Sequence, residues 1–463
     1  MIARDVLEEV LEKALSLGGD FSEIFVEDKV INSIRMVNDK IEDVISGREH
    51  GAGIRIMKGY KCVYAYTSDT SRDKLLDTAY KAAYALKEGE RGNQQDADII
   101  LTERMPLNAH LVLRIPSSVN NEKKAKIVKT AYKAAKDYSP EIVQVTVVYG
   151  DTDQKILIAN SEGLMVEDRR VRTRLAIQSV ASDGKENQTG FEGPGRHMGF
   201  EMFEIIDPGY YAREASRTAV TMLHADLCPA GRMPVVIENG FGGVIFHEAC
   251  GHALEATSVA KGHSVFTGKT GEKIASEKVT AIDDGTIPNA WGSSNIDDEG
   301  TPTQRKILIE KGILKTYMVD KLNGRRMGME PNGSSRRQSY KYAPTSRMTN
   351  TYIAAGDDEN EDIIASVPEG LYARKMGGGS VNPVTGEFNF AVAEGYLLKN
   401  GKIDKPVRGA TLIGKGSEIL FRIDMVGKDV QMGQGMCGSL SGSIPANVGQ
   451  PMIRVSEIIV GGR

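Results

Sequence analysis

Cysteine is scarce in this sequence of 463 residues. Its four cysteines, Cys62, Cys228, Cys250 and Cys437, are scattered along the chain, whereas the disulfide frameworks of small secreted domains are dense in cysteine. We therefore expect a reducing, cytoplasmic environment, in which a thiolate stays free to bind a metal ion.

Long apolar runs are also missing. No stretch approaches the roughly 18 apolar residues that a membrane-spanning helix needs. The first twelve residues carry Asp5, Glu8, Glu9 and Glu12 where a signal peptide would have an apolar core. We expect neither a secretory leader nor a membrane partner.

No segment repeats with a period of 20–50 residues, which argues against a solenoid.

The chain also lacks a marked excess of charge of either sign. It has 58 basic and 62 acidic residues, a formal net charge of -4, and so no general attraction to nucleic acid. A lysine-rich stretch at 121–137 has no interleaved aromatic residues, and we interpret it as a solvated helix face rather than a nucleic-acid site. The length is sufficient for two or three domains.

The apolar spacing predicts an α+β fold. Amphipathic helices are predicted over residues 5–17, 72–87, 121–137 and 210–225. Short strands are predicted at 22–27, 33–38, 41–46, 53–58 and 61–66, and turns at 150–151, 161–163 and 182–185. Beyond residue 232, strands are expected at 233–238, 307–314, 316–320 and 388–398. The abundant glycine there favours a curved or barrel-like sheet.

Three regions follow from this pattern. We predict an N-terminal α+β region over 1–95, ending in a polar loop near 89–97. A middle region of helix and antiparallel sheet is predicted over 105–226. A larger, mostly antiparallel β domain is predicted over 230–463, carrying one distorted metal-binding helix.

Histidine is scarce too, yet two of the seven histidines lie in the short segment Phe246–His252, together with Glu248. Imidazoles next to a carboxylate suit a divalent metal ion, with the carboxylate left free to move a proton. The common zinc-peptidase signature is H-E-x-x-H, but the spacing here is H-E-x-x-x-H. On a regular helix the second ring would point about 140° away from the first. We therefore predict a distorted helix, with either a π-bulge or a break at Gly251.

A catalytic zinc ion needs a third protein ligand and one open position. Candidates are Cys437, in the glycine-rich segment 432–438, and also Glu255, His263 and Cys250. Spacing alone leaves the choice open. A fourth ligand, for which Cys250 is the plausible candidate, would instead close the site and make it structural.

Three further segments have chemical interest. A strand within 336–351 could pair with an extended peptide, and we predict Arg347 and Asn350 as peptide contacts, the alternative being that they tie down turns in the sheet. The acidic run Asp297–Glu299 is interpreted as a turn with solvated or arginine-paired carboxylates rather than a second metal site. The glycines of 377–380 are interpreted as a backbone bend.

As a set, these segments resemble the TldD/PmbA family, and specifically its TldD-type metallopeptidase branch. The matching segments are Phe246–Glu255, Ile296–Thr303, Ile309–Leu322, Arg336–Tyr340, Arg347–Tyr352, Gly377–Gly379, Lys405–Gly414, Met425–Gly427 and Gly435–Gly462. The resemblance covers essentially the whole third region and extends more weakly to the first, in Gly51–Lys58 and the flanking helices.

The resemblance implies a zinc ion held by His247, His252 and Cys437, with Fe²⁺ not excluded. It makes Glu248 the general base on a zinc-bound water, and implies a zinc-dependent metallopeptidase that hydrolyses unfolded or short peptides. The noncatalytic PmbA/TldE branch typically lacks the histidine motif, which is intact here. A noncatalytic peptide-binding or regulatory subunit is the alternative. The resemblance also implies a homodimer, or a heterodimer with a PmbA/TldE-like subunit.

Overall fold

A computed structural model describes residues 2–87, 98–382 and 385–462. The predicted loop at 89–97 lies outside these ranges. The predicted α+β class is confirmed: helices pack on long, mostly antiparallel strands. Within the described residues, no helix is both long enough and apolar enough to cross a membrane.

The N-terminal half is built on one sheet with the strand order β3-β2-β1-β5-β6-β4, and β7 and β8 also pair with β6. Its elements are α1 (Arg4–Leu15), β1 (Phe21–Val37), β2 (Lys40–Lys58), β3 (Lys61–Thr67), α2 (Arg72–Lys87), β4 (Thr102–Arg104), α3 (Asn121–Lys136), β5 (Ile142–Asn160), β6 (Leu164–Ser182), β7 (Asn187–Glu192), β8 (Gly195–Arg196), α4 (Met202–Ile205) and α5 (Pro208–Leu223).

The four predicted amphipathic helices are confirmed as α1, α2, α3 and α5. In α1, Leu7, Val10, Leu11 and Ala14 are fully buried, which is the spacing of one helix face. Side chains at the helix starts can accept hydrogen bonds from the free backbone N–H groups of the first turn. The side chain of Asn120, for example, accepts a hydrogen bond from the backbone N–H of Lys123 at the start of α3.

The prediction of several short strands is wrong. β1 and β2 each join two predicted strands, and β5 runs straight through the expected turn at 150–151. The polar residues between the predicted strands form pairs across the sheet instead of ending it. Arg48 binds Asp28 through two hydrogen bonds of 2.7 and 2.8 Å, and Ser46 donates to Asn32. Such cross-strand pairs stabilise a ladder beyond the apolar core.

β1 pairs with β5 from Glu23↔Asn160 to Val37↔Thr146. The first and second predicted regions therefore contribute strands to one sheet. The predicted domain boundaries themselves stay a prediction.

The C-terminal half contains a barrel and a second sheet. Its elements are β9 (Asp226–Leu227), β10 (Gly231–Ile237), α6 (Val244–Ala249), α7 (Ala256–Val259), β11 (Ala281–Asp284), β12 (Arg305–Glu310), β13 (Ile313–Leu314), α8 (Lys321–Met327), β14 (Ser335–Arg336), β15 (Thr345–Ser346), β16 (Asn350–Ile353), α9 (Asn360–Ala365), β17 (Glu369–Val381), β18 (Glu387–Lys399), β19 (Lys402–Arg408), β20 (Thr411–Lys415), α10 (Gly416–Ile419), β21 (Ile423–Val426), β22 (Gln431–Ser439), β23 (Gly442–Gln450) and β24 (Ile453–Gly461).

Among the described strands, β17, β10, β24, β20 and β18 follow one another, and pairing of β17 with β18 closes them into a five-stranded barrel. This confirms the barrel-like sheet. The glycines of 377–380 lie within β17, where its register shifts between Met376 and Gly379, and a bend of the backbone there stays a prediction. The second sheet has the order β13-β12-β11-β16-β23-β22. The strand predicted at 316–320 is wrong, since only Met318 forms a single bridge, to Glu255.

The acidic run 297–299 lies buried between the two halves. Asp298 binds Arg170 at 2.6 Å, and Glu299 binds Arg55 at 2.6 Å. Asp297 instead accepts backbone hydrogen bonds from residues 299, 301 and 335. The expectation of arginine pairing is confirmed for two of the three carboxylates. The expectation of solvation is wrong, because the N-terminal sheet covers this turn.

Candidate metal centre

The histidine motif is positioned by a tight turn after a barrel strand. β10 leads into a 3₁₀ turn, Gly240–Gly243, and then into α6. A Cβ at Gly243 would lie 2.4 Å from the carbonyl oxygen of Gly449, so only glycine lets α6 start this close to β23. Phe246 is fully buried in the core that joins α6 to the barrel.

The predicted distortion of the helix is confirmed as a break. α6 ends at Ala249, Cys250 has the non-helical angles φ -131° and ψ -44°, and a 3₁₀ turn covers Gly251–Leu254. A Cβ at Gly251 would lie 2.3 Å from the sulfur of Met348, so a larger residue there would require the Met348 side chain to move. The break brings the rings of His247 and His252 to 5.1 Å between centroids, at 85° to each other.

Cys437 reaches these rings from β22, far along the chain. Its Sγ lies 3.3 Å from Nε2 of His247 and 3.3 Å from Nε2 of His252. Within the described residues these three are the group of histidine, cysteine and acidic side chains close enough to share a metal ion, their donor atoms all lying within 4.8 Å. The structure therefore brings together the three ligands that the family resemblance implied.

The electrostatics favour a thiolate. Burial by itself raises the pKa of Cys437, but the charge and hydrogen bond of His247, with those of His252, outweigh it and lower the pKa to about 3. A thiolate with two imidazole nitrogens is a donor set typical of zinc. Tetrahedral zinc would separate its nitrogen and sulfur ligands by about 3.5 Å, close to the distances found. The residues present therefore fit the metal ion.

The two nearby glutamates occupy different positions. Oε2 of Glu248 lies 3.7 Å from Nε2 of His252, on the side of the donor atoms, and its side chain is 24% exposed. Oε1 of Glu255 lies 3.1 Å from Nδ1 of His252, behind the ring. A carboxylate there holds the proton on Nδ1 and leaves Nε2 free to bind a metal ion. Burial lowers the pKa of His252, but Glu255 and Cys437 together raise it well above its usual range.

The remaining ligand candidates lie elsewhere. Cys250 is fully buried, and burial raises the pKa of its thiol. It does not belong to the group of donor atoms found among the described residues. His263 is exposed in the loop after α7.

Arg347 lies behind the site, fully buried. It donates to the carbonyl oxygen of Cys437 at 2.5 Å and to the hydroxyl of Ser441 at 2.9 Å, and its Nε lies 3.8 Å from Glu255. Asn350 is also fully buried and donates to the carbonyl of Asp284 and the hydroxyl of Ser293. Both side chains bond to the protein itself, and their contact with a bound peptide stays a prediction.

Sequence reasoning missed Trp291. Its indole Nε1–H donates to the carbonyl oxygen of Gly435 at 2.9 Å, two residues before Cys437. Trp291 and Arg347 together hold the backbone of β22 through the carbonyl oxygens of Gly435 and Cys437. No local pattern marks either contact, because the partners lie 144 and 90 residues apart.

Comparison with known proteins gives a consistent result. Models of the PmbA/TldA metallopeptidases match residues 22–84 as domain 1, 114–223 as the central domain and 230–462 as the C-terminal domain. A relative from Haemophilus influenzae, named a metalloprotease TldD homolog, is 38% identical over 89% of this chain and 87% of its own length. The chain belongs to the TldD/PmbA family.

Further similar proteins match nearly the whole chain. A zinc metalloprotease TldD homolog from Saccharolobus solfataricus is 27% identical over 98% of this chain and 99% of its own. Two solved structures share the fold: a protein from Thermotoga maritima (TM-score 0.80, 21% identity, 99% of both chains) and TldE from Thermococcus kodakarensis (TM-score 0.76, 20% identity, 99% of this chain and 100% of that one). The histidine motif and Cys437 both lie in the C-terminal match.

Proposed function

We propose that this chain is a zinc-dependent metallopeptidase that hydrolyses unfolded or short peptides in the cytoplasm. The observation that carries the proposal is the convergence of His247, His252 and Cys437, with Glu248 on the same side as their donor atoms. Membership of a metallopeptidase family supports the peptidase class.

His247, His252 and Cys437 would hold the zinc ion, and Fe²⁺ suits the same donor set. When bound, the metal ion supplies Lewis acidity toward a peptide carbonyl and an attacking water. The thiolate donates more charge than a third imidazole would. We therefore expect the metal ion to be a weaker Lewis acid here than at an all-histidine site. The protein's own residues would then contribute more to catalysis.

Glu248 would act as the general base. Its carboxylate is partly exposed and lies within 4 Å of a ligand nitrogen, so it can reach both the donor side of the site and entering water. It would take the proton of the attacking water and pass it to the leaving amine, as a carboxylate beside a ligand can. Because α6 is anchored in the core through Phe246, the carboxylate is held on a rigid element.

Glu255 and Arg347 would act as positioning residues. Glu255 orients His252 through Nδ1, and Arg347 connects that carboxylate to the backbone of Cys437. Ligands from two distant segments are thereby held in one geometry. Partners of this kind tune metal affinity and ligand basicity.

The substrate class follows from the position of β22, the last strand of its sheet. β22 pairs with β23 on one side, and on its other side no described strand pairs with it. An extended peptide can add to such an edge through main-chain hydrogen bonds, which supports an unfolded or short peptide as the substrate. Arg347 and Asn350 would then act on the peptide mainly through the backbone they hold.

The alternative of a noncatalytic peptide-binding or regulatory subunit is less well supported. It would call for a fourth ligand or for loss of the donor set. The Cys250 thiol stands apart from the donor group, the histidine motif is intact, and curated relatives are named metalloproteases.

The test is substitution of the general base. Glu248→Gln should keep about one zinc per chain by elemental analysis and lower peptide turnover by at least about 100-fold, the lower end of the range for general-base catalysis. Exposed Glu277→Gln is the matched control and should leave both unchanged. Turnover of unfolded casein or a quenched peptide, measured on zinc-loaded protein, decides the matter; wild-type turnover in Glu248→Gln would remove this residue from the base role.

A further inference from the structure

β6 carries three arginines at alternate positions on one face of the N-terminal sheet, and the third has no acidic partner. Arg170 lies between two carboxylates, at 3.2 Å from Asp168 and 2.6 Å from Asp298. Arg172 donates to two backbone carbonyl oxygens. Within the described ranges, Arg174 has neither a hydrogen bond nor an ion pair, and its Nε is buried without a partner. Such a position is unusual, because charges that leave water are normally paired.

The guanidinium of Arg174 lies against Trp291. Its Cζ is 5.5 Å from the centre of the indole ring, within the range of a cation–π contact. The partner of Arg174 on β8 is Gly195, where a Cβ would lie 2.9 Å from the indole. A Cβ at Gly193 would lie 2.9 Å from an Nη of Arg174. An aromatic ring and a stretch of glycine backbone therefore hold the arginine, instead of an opposite charge.

The other side of Arg174 is open. Its partner on β5 is Gly150, so the neighbouring position on the same face of the sheet carries no side chain. A Cβ at Gly150 would meet no atom nearer than 3.9 Å outside its own chain neighbours. Farther along this face Gln178 is exposed, and its partner Phe191 is 54% exposed. Space for a ligand therefore lies next to the unpaired charge.

The chemistry of Arg174 indicates the kind of ligand. Burial lowers its pKa, and no neighbouring carboxylate raises it. The ordinary pKa of a guanidinium is so high that the side chain stays ionised. A planar guanidinium with free N–H groups can bind a carboxylate through two parallel hydrogen bonds. Peptides present carboxylates at the C-terminus and on the side chains of aspartate and glutamate.

Trp291 connects Arg174 to the metal-binding strand. Its Nε1 donates to the carbonyl oxygen of Gly435, two residues before Cys437 on β22. This chain of contacts limits the distance from Arg174 to the Cys437 sulfur to about 20 Å, which about six residues of extended peptide span. A peptide along β22 can therefore have its scissile bond at the metal centre and a carboxylate at Arg174.

We propose that Arg174 recognises a carboxylate of the peptide substrate, on its C-terminus or on an acidic side chain, a few residues from the bond that is cleaved. This proposal deepens the proposed peptidase function and rests on it. Arg174 strengthens the binding of acidic peptides and leaves the chemical step to the metal centre. Its loss should therefore raise KM for such peptides and leave kcat unchanged.

The experiment measures peptide binding apart from hydrolysis, on zinc-loaded Glu248→Gln protein. Three sets of acetylated alanine–serine peptides of about ten residues are used, long enough to reach from the metal centre to Arg174. The first set ends in a free carboxylate. The second ends in an amide and carries one glutamate, at each position in turn. The third ends in an amide and has no acidic residue.

Calorimetry gives the dissociation constants, and the emission of Trp291, the only tryptophan in the sequence, reports binding next to Arg174. At least one acidic set should bind about 10- to 100-fold more tightly than the neutral set, the contribution of a hydrogen-bonded charge. Tighter binding of the first set identifies the C-terminal carboxylate as the ligand. Tighter binding of the second set identifies an acidic side chain.

Variants then assign the preference to one residue. Arg174→Gln should abolish the preference and leave binding of the neutral set unchanged. Arg174→Lys should keep part of it, because an ammonium group retains the charge but not the planar fork. Arg213→Gln is the matched control and should keep all of it, since this exposed arginine lies on α5, which packs on the opposite face of the sheet. Circular dichroism checks that each variant is folded.

The proposal is overturned when all three sets bind with equal affinity, or when the preference survives in Arg174→Gln. It is overturned equally when Arg174→Gln weakens neutral and acidic peptides alike, since the arginine would then only support Trp291. Hydrolysis by wild type that ignores carboxylates removes this proposal alone. Carboxylate-dependent binding without hydrolysis by wild type removes only the peptidase function, and no binding of any set removes both.

Discussion

Two pairs of histidines have their rings in contact, and the two pairs differ in ring geometry and in the charged groups around them. His110 and His197 stack at 4.4 Å between centroids and 28° between ring planes, whereas His247 and His252 stand edge to face at 5.1 Å and 85°. Both pairs are largely buried. Proximity of two imidazoles is therefore not what distinguishes a metal site.

The neighbours make the difference. Burial, and then the charge of Arg172, lower the pKa of His110 to about 4 and that of His197 well below its usual range. The backbone N–H of Asn289 donates to Nδ1 of His110. At the other pair a thiolate stands in front of the rings and Glu255 behind one of them. A cation is repelled from the first pair and attracted to the second.

The largest effect is expected from the thiolate. Cys437→Ser should lower zinc affinity more than about 100-fold, because a charged soft ligand is replaced by a neutral hydroxyl. The matched control is Cys250→Ser, which should keep about one zinc per chain. Elemental analysis and competition with a chelator measure both. Greater loss in the control would mean that the wrong thiol has been assigned.

The stacked pair should affect stability and its dependence on pH. In the native state the pKa of His110 is about 4 against 6.5 for the unfolded chain, so between these values the unfolded state binds more protons. The stabilisation is complete above about pH 6.5 and is lost as the pH falls toward 4. It amounts to about 3 kcal/mol.

His110→Gln removes this titration. The difference in unfolding midpoint between wild type and variant, measured in urea from pH 7.5 to 4.5, should shrink as the pH falls. Zinc content should stay unchanged, since Arg172 disfavours a cation there. A pH-independent difference would show that His110 does not titrate as the structure implies.

The smallest effect on zinc affinity is expected from the residues behind His247 and His252. Glu255→Gln should lower zinc affinity about 10- to 100-fold, the usual cost of removing a carboxylate partner of a histidine ligand. Arg347→Met should act in the same direction, and Arg347→Lys should recover part of the loss by keeping the charge. Absorption of the cobalt-substituted protein reports ligand geometry directly. An unchanged spectrum and affinity in Glu255→Gln would leave it a purely structural role.

Much of the fold follows from local pattern. The helices α1, α2, α3 and α5 are predictable because their apolar residues recur with the 3.6-residue period of one helix face, and this spacing is visible in the sequence. The strands were predicted too short, because cross-strand pairs such as Arg48 with Asp28 extend a ladder through polar residues, and their partners are distant in sequence. The sequence leaves the carboxylates of 297–299 either solvated or paired with arginine, because the sheet that covers them comes from the other half of the chain.

The candidate site also has features that the sequence predicts and features that it does not. The histidine motif and its distorted helix were readable, since the spacing of His247 and His252 is incompatible with a straight helix. The choice of Cys437 over the other candidates came from family resemblance, not from spacing. The burial of Arg347 behind the metal centre shows in no local pattern, so the sequence predicts only a peptide contact for it.

The sequence by itself determined the helices, the barrel-like character of the glycine-rich half and a distortion of the metal-binding helix, because each depends on residues within a few positions of one another. Only the tertiary structure decided which sulfur stands before the two imidazoles, which carboxylate stands behind them, and which histidine pair is shielded by arginine. Those outcomes depend on contacts between segments up to 190 residues apart, where side-chain packing and charge, and not local spacing, select the partner.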